Sequence, residues 1–424
     1  MKHLFLILVT FSTFPLWGQW IDADTIAANI IKTNTLSFPS SSTGYASVVL
    51  SGSSQETIFK TTDAALSWTD LNYPSNNNAE LQNLHFADDQ NGYIAVREYN
   101  AGVFDMMVKK TIDGGLSWTD VSPLNPPLGS GKAALQFLTV DSGYFAVENV
   151  VYTTFNSGQS WDSDTLFTTY GNFRDVDFWD SQYGVVGGWD GTFAYSGILF
   201  ITNNGGQSWS EVQIPQVYSS IVAVQRVSPT HIYALGSEFT GRYLFRSIDA
   251  GASWDTLDLT AFTPNNSDNL NSLHFLDENR GYIGTDDGQL LYTTDAGLNW
   301  ASVYNFGILN NGVKSISFID NVGYAVSNMG RIAKTSLTNS LLTNNVFTFL
   351  NTFPNPCSDY FEIDLGTELT QTLAIFTLNG QLVYEGNTNE NQLIIPTKEW
   401  LNGYYLGTLT NKKGEIKHFK ILKQ

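Results

Sequence analysis

The chain has 424 residues, enough for one large repeat domain and a smaller companion. Aromatic and charged residues each make up 14%, and Gly is abundant, a mixture that favours short strands and tight turns over helices. A net charge of −19 argues against nucleic acid as a partner.

Lys2, the apolar run from Leu4 to Val9, and the stretch from Phe14 and Pro15 to Gly18 read as a signal peptide over residues 1–19. Cleavage is expected near Gly18 or Gln19. The apolar run is too short to span a bilayer, and no later stretch is long and apolar enough for a membrane helix. The mature chain is therefore expected to have no transmembrane segment. An oxidising destination permits disulfides, yet Cys357 is the only cysteine. Stability then has to come from the core and from closure of the fold.

From residue 61 the chain repeats a phrase of the form Thr-x-Asp-Gly-Gly-x-Ser-Trp. Its six copies place Asp63, Asp113, Asn156, Asn204, Asp249 and Asp295 five residues ahead of Trp68, Trp118, Trp161, Trp209, Trp254 and Trp300. The tryptophans are 50, 43, 48, 45 and 46 residues apart, a period that means a propeller or a solenoid in a strand-rich chain. A second phrase alternates with the first: an aromatic residue, a short polar turn, then Gly-Tyr. It begins at Phe38, Phe86, Phe137, Phe275 and Phe318, with degenerate copies at Phe178 and Val227.

Seven copies of one phrase stand against six of the other. Trp20 lies 48 residues before Trp68 and is likewise followed by an acidic dipeptide, while the strand from Arg331 to Ser336 is followed by no tryptophan. The simplest reading is that Trp20 supplies the missing fourth strand of the last blade and closes the ring. Closure removes the exposed strand edges that promote aggregation. Residues 20–336 are thus expected to form an all-β, seven-bladed propeller closed by an N-terminal strand, each blade with strands a to d and no helix. An open solenoid should instead show capping repeats at its ends.

The tryptophan phrase resembles the Asp-box, or BNR repeat, found in sialidases, some glycan-cleaving propellers and the photosystem II assembly-factor family. Its residues also have a direct physical reading. The Asp or Asn side chain accepts backbone N–H groups within the c–d turn. Glycine two residues on, as at Gly115, permits a positive φ. The tryptophan supplies a large apolar face. In Asp63-Ala-Ala65 the glycine is replaced, so that turn should be strained or of another type. Six copies spread around a ring cannot converge as catalysis requires, so these residues are read as structural.

Both phrases mark a–b and c–d turns on one face. The b–c and d–a connections lie on the other face and vary between blades, which is where function usually sits. Ligand-contacting candidates there are Arg97, Tyr99, Trp189, Asp190, Glu238 and Arg242, with Lys132 and Arg174 near d–a connections. An exposed Trp189 indole would stack on a sugar ring; the alternative is loop packing. Asp286-Asp287-Gly288 reads as a turn, with a calcium contact as the alternative. No catalytic residue, metal or cofactor is assigned.

Composition changes after Ser336. Residues 337–352 read as a linker, and residues 353–424 as about seven short strands forming a small β-sandwich. Phe353-Pro354-Asn355-Pro356, the turn at Gly380, Gly403-Tyr404-Tyr405 and the basic end at Lys420 together resemble the type A C-terminal sorting domain of the type IX (Por) secretion system. That resemblance implies export through the periplasm and across the outer membrane by the type IX machinery, removal of this domain, and surface attachment or release.

The propeller as a whole resembles the photosystem II assembly and stability factor family, without importing a photosynthetic role. Two functions stay open. One is a secreted or cell-surface binding propeller for an extracellular glycan or protein. The other is a glycoside hydrolase, for which Asp190, Glu238 and Asp286 would be the carboxylates. A sialidase signature of Arg-Ile-Pro is missing from the sequence, whose first arginine is Arg97.

Overall fold

The structure is a computed structural model. It describes residues 19–51, 56–73, 79–100, 103–123, 131–167, 171–191, 196–212, 214, 220–237, 241–263, 269–307, 311–337, 352–353, 357–364, 371–377, 382–388, 392–411 and 416–424. The signal-peptide reading therefore falls almost wholly outside the described residues. Two compact units divide between residues 337 and 338.

The first unit is a seven-bladed propeller. Its inner strands are Ile30–Ser37, Ala79–Phe86, Ala133–Phe137, Asn172–Phe178, Ser220–Arg226, Leu270–Phe275 and Val313–Ile319. Each leads a four-stranded antiparallel sheet, as in blade 2, where Ala79–Phe86, Gly92–Asn100, Val103–Thr111 and Thr119–Asp120 pair in order. Each inner strand packs on the next, and the seventh returns to the first. One 3-10 turn, Thr260–Phe262, is the only helical element among the described residues. The outer strand of blade 7 is Ile21–Thr25, antiparallel to Arg331–Ser336 with Ile21 opposite Lys334. The N-terminal strand closes the ring.

One aromatic module explains why the two phrases alternate. The phenylalanine ending strand a faces the glycine starting strand b, and its ring lies over that glycine. A Cβ built at Gly92 would sit 2.5 Å from Phe86 Cε1, so any larger residue would displace the ring. The next tyrosine stacks on the phenylalanine of the following blade. Tyr45–Phe86 and Tyr93–Phe137 have ring centroids 3.4 Å apart, and Tyr324–Phe38 repeats the stack at 3.6 Å across the closure. The strand-d tryptophan then meets the same phenylalanine edge-on, as Trp118 does Phe86 at 6.2 Å and 82°. In blade 7 this place is taken by Trp20, edge-on to Phe318 at 5.9 Å and only 4% exposed.

The seam between blades 4 and 5 departs from the module. Val227 was the expected start of the degenerate phrase, but the residue opposite Ile232 is Arg226, and Val185 occupies the tyrosine position. The Arg226 side chain is buried beneath Tyr183. Its guanidinium donates to the carbonyls of Gly184 (3.2 Å), Thr202 (3.0 Å) and Pro229 (2.6 Å) and to Asn203 Oδ1 (2.9 Å). No phenylalanine covers Ile232, so that position need not be glycine.

A polar ladder joins the inner strands. Ser37 Oγ accepts the Phe86 N–H (3.1 Å), Gln136 Oε1 the Phe178 N–H (2.6 Å) and Asp177 Oδ2 the Arg226 N–H (2.8 Å). Gln225 Oε1 accepts the Phe275 N–H at 2.5 Å. These bonds satisfy inner-edge donors that a blade cannot satisfy alone.

The second unit holds two small sheets. Thr352–Phe353, Tyr360–Asp364 and Gln392–Pro396 form one; Leu382–Thr388, Gln371–Thr377, Gly403–Asn411 and Ile416–Lys423 form the other. Phe361, Ile363 and Ile395 of the first share a core with Leu373, Ile375, Tyr405 and Ile421 of the second, and the free Cys357 is buried in it. Gly403, Tyr404 and Lys420 lie in paired strands, facing Lys423, Leu422 and Leu406. Pro354, Asn355, Pro356 and Gly380 lie outside the described residues.

Candidate functional site: the mouth of the central channel

The turns carrying the two phrases are bonded to each other. Gly114 N–H donates to the Gln90 carbonyl at 2.9 Å, and Ala64, Gly205 and Ala296 make the same bond to Ser42, Gln182 and Asn279. Both phrases therefore occupy one face, leaving the b–c and d–a connections on the other.

Asp-box side chains are engaged within their own turns. Asp113 Oδ1 accepts the Ser117 N–H (2.9 Å) and the Thr111 hydroxyl (2.7 Å), and Oδ2 accepts the Ser117 hydroxyl (2.6 Å). Asp63, Asp249 and Asp295 repeat the pattern, while Asn156 and Asn204 accept through Oδ1 and donate through Nδ2 to Ser160 and Ser208. Hydrogen bonds from the Ser67 and Ser117 side chains are the main reason the Asp63 and Asp113 carboxyls are held down at about 2. Gly115 has φ +89, as the turn requires. Ala64 and Ala65 adopt the same left-handed conformation at φ 62 and 67, so the turn without glycine is the strained one of the two expected alternatives.

The sequence candidates sit on three blades of the variable face. Arg97 and Tyr99 lie on the b–c hairpin of blade 2, where Arg97 pairs with Glu80 at 2.6 Å and stacks over Phe104, itself 4.9 Å from Tyr99. Trp189, half-buried, ends strand b of blade 4 opposite Asn172, and Asp190 follows it. Arg242 of blade 5 is buried, and Glu238 lies outside the described residues. Asp287 accepts from Gln289 Nε2 at 2.6 Å in a turn where Gly288 has φ +86. Asp286 instead pairs with Lys314 at 3.1 Å and accepts from Asn271 Nδ2 at 2.5 Å.

That last pair points inward. Where the inner strands begin, they surround a cavity of about 370 Å³ at the variable-face end of the channel. Lys32, Lys132, Arg174 and Lys314 line it, from blades 1, 3, 4 and 7, together with the amides of Asn34, Gln82, Asn83 and Asn271. Asp175 belongs to the same wall. Its carboxyl accepts the Val224 N–H (2.8 Å) and the Val176 N–H (3.0 Å), and burial pushes it up to about 7, with the Asp177 charge adding. Asp177 is pushed up to about 6, also by burial. Behind the wall, the buried Glu56 accepts from Asn34 Nδ2 (3.1 Å) and the Leu81 N–H.

None of the five described sequence candidates, Arg97, Tyr99, Trp189, Asp190 and Arg242, lines this cavity. Lys132 and Arg174 were legible as cations near d–a connections; Lys32, Lys314 and the amides were not singled out. A signal existed: each of the four cations stands four to six residues before the last phenylalanine or its counterpart in an inner strand.

Residues 351–424 match the family described as the secretion system C-terminal sorting domain, and residues 161–308 match photosynthesis system II assembly factor YCF48. The chain joins a YCF48-like propeller to a secretion sorting domain. The sorting domain implies export through the type IX machinery. No curated protein matches the chain in sequence. Among solved structures, YCF48 bound to D1 peptide is 17% identical with a TM-score of 0.57, covering 76% of this chain and 97% of that one. YCF48 from Cyanidioschyzon merolae gives 14% and 0.55, covering 76% and 99%. A catalytically inactive virginiamycin B lyase from Staphylococcus aureus with quinupristin gives 11% and 0.58, also covering 76% and 99%. At these identities the likeness is one of fold. No helix among the described residues is long and apolar enough to cross a membrane.

Proposed function

We propose that this protein is a non-catalytic binding propeller, delivered by the type IX machinery to the cell surface or the medium, which engages an extracellular ligand on its variable face. The observation that carries the reading is the polar, cation-bearing cavity at the channel mouth of an otherwise acidic chain. Other features support it. The Asp-box acids are taken up by turn hydrogen bonds, the cavity's Asp175 is engaged by backbone N–H groups, and the neighbouring Asp286 is engaged by Lys314. Neither stands as an open acid–base pair of the kind glycoside hydrolysis needs.

Two measurements test the reading. The chain ending at residue 350 should remain in the periplasm, whereas the full chain should reach the surface or medium. The purified protein should bind without turnover in a panel of polysaccharides and extracellular proteins; steady hydrolysis of any polysaccharide would replace this reading with the glycosidase one.

A further inference from the structure

We propose that the face formed by the Asp-box turns is a second interaction surface, where a groove between blades 2 and 3 takes an aliphatic side chain of a basic protein segment. Among the described residues of the propeller, twelve large apolar side chains are exposed, and seven of them stand in the turns of this face. Leu66, Ile112, Leu116 and Phe155 come from three consecutive blades and Trp179 from the next; Ile248 and Leu298 belong to blades 5 and 6. The turn itself does not ask for them. Three residues after the acid, Leu66 and Leu116 have Gln159, Gln207 and Ala252 as counterparts; just before it, Ile112 and Phe155 have Thr62 and Asn203. Nor do they serve the core, since Ile112 and Leu116 are 70% and 72% exposed. Single exposed apolar residues are ordinary, whereas several beside one groove mark a binding surface.

The groove has a volume of about 220 Å³. Ile112, Ser117 and Val121 line it from blade 2, and Ser157 and Gln159 from blade 3. Val121 is held in place across the seam, because its carbonyl accepts the Trp161 Nε1–H at 2.8 Å. The aliphatic walls and the small volume suit one branched or linear apolar side chain, the anchor that a protein partner supplies. The charge around the groove selects what flanks that anchor. Every a–b turn except those of blades 1 and 5 carries a carboxylate, and four c–d turns carry an Asp-box aspartate. Asp113 stands in the turn between Ile112 and Ser117, and Asp141 accepts the Ser157 hydroxyl at 2.6 Å. The basic side chains of this face are drawn inward. Lys110 lies over Tyr93 at 5.6 Å; Lys60 and Lys334 lie over Tyr45 and Tyr324 and donate to the Gly114 (3.5 Å) and Ala64 (3.3 Å) carbonyls of the next blade. Arg246 donates to the Ala296 carbonyl at 3.1 Å, and Arg280 pairs with Asp277. Carboxylates therefore dominate the outward field, which repels acidic partners and complements Lys or Arg on either side of an apolar anchor.

The test uses the full chain, three peptides of equal length and vesicles of phosphatidylcholine. One peptide combines Lys with Leu, one Glu with Leu, and one Lys with Gln. The Lys–Leu peptide should bind, with affinity falling as salt rises, and the other two should bind at least about tenfold more weakly. Ile112→Ser with Leu116→Ser should weaken Lys–Leu binding by about tenfold or more, while Ile31→Ser, exposed on the variable face, should leave it unchanged. Should the double variant melt early, Ile112→Lys alone should weaken binding as much, by setting a like charge at the groove. Binding that ignores these variants, or that is as strong for the Glu–Leu or Lys–Gln peptide, would overturn the groove. Capture by the vesicles that the same variants abolish would make the face a membrane contact and overturn the protein partner. Each of these results leaves the variable-face reading where it stands, because none of the groove residues lies on that face.

Discussion

Ala65 stands where the other five Asp-box turns have glycine, and it keeps their left-handed backbone at φ 67. A Cβ in this region costs on the order of 1 kcal/mol. Ala65→Gly should therefore raise the melting temperature by roughly 2 °C, as calorimetry would read. Gly115→Ala should do the opposite and by more, because its Cβ would fall 2.7 Å from Leu71 Cδ1 at φ +89. Equal effects at the two sites would mean the turn is not strained. A second residue-scale effect concerns charge. Asp175 titrates near 7 in the folded protein and near its ordinary value of 3.8 when unfolded. The folded state then binds the extra proton between those values, so this group's stabilisation is full below about 4 and lost as pH rises through 7. Half-buried His85 and His274, held at about 4 by desolvation, act in the reverse sense and gain stability as pH rises from 4 to 6.5. The whole-protein profile mixes the two. The difference between wild type and Asp175→Asn isolates the first: the variant's relative stability should climb from pH 4 to pH 8, and a flat difference in melting temperature would refute the assignment.

At the scale of the element, six blade seams use a Tyr–Phe stack, and the seam between blades 4 and 5 uses Arg226. Replacing Arg226 with Met should cost about 3 kcal/mol, since several buried carbonyls lose their donor at once. Arg226→Phe combined with Ile232→Gly and Val185→Tyr recreates the common module and should recover most of that loss in denaturant unfolding. Failure to recover would show that the blade spacing here differs. The same seam marks where the sequence stopped being readable. Blade number, strand order and the closing Trp20 were legible, because Phe, Gly-Tyr and Trp recur under one packing rule. The one-residue misplacement of blade 5 at Val227 arose because an arginine in a phenylalanine position breaks the rule and carries its own, non-periodic bonds. The channel mouth was harder still. Lys32, Lys132, Arg174 and Lys314 lie far apart in sequence, and bulges in the inner strands, as between Ile30 and Lys32, shift their register from blade to blade. Only the closed ring brings them together, whereas Arg97, Tyr99 and Trp189 looked conspicuous because loop aromatics stand out in any strand-rich chain.

For the whole molecule, closure is the term on which everything else depends. Trp20 packs edge-on to both Tyr282 at 5.5 Å and Phe318 at 5.9 Å, and Ile26 N–H donates to the Gly330 carbonyl at 2.9 Å just beyond the closing strand. Trp20→Ala deletes a buried indole from this joint and should cost about 3–5 kcal/mol. Trp254→Ala should cost less, because blade 5 has no phenylalanine for that indole to meet. Removing the strand altogether goes further. A chain beginning at Ile26 leaves the edge of Arg331–Ser336 unpaired, and Lys314 and Lys32 then flank the weakened joint between blades 7 and 1. Such an edge invites pairing with another molecule. Size-exclusion chromatography should show this chain as dimers or larger species, with a melting temperature well below that of the chain beginning at Gln19. A monomer with unchanged melting would mean that the six other seams hold the ring without the N-terminal strand.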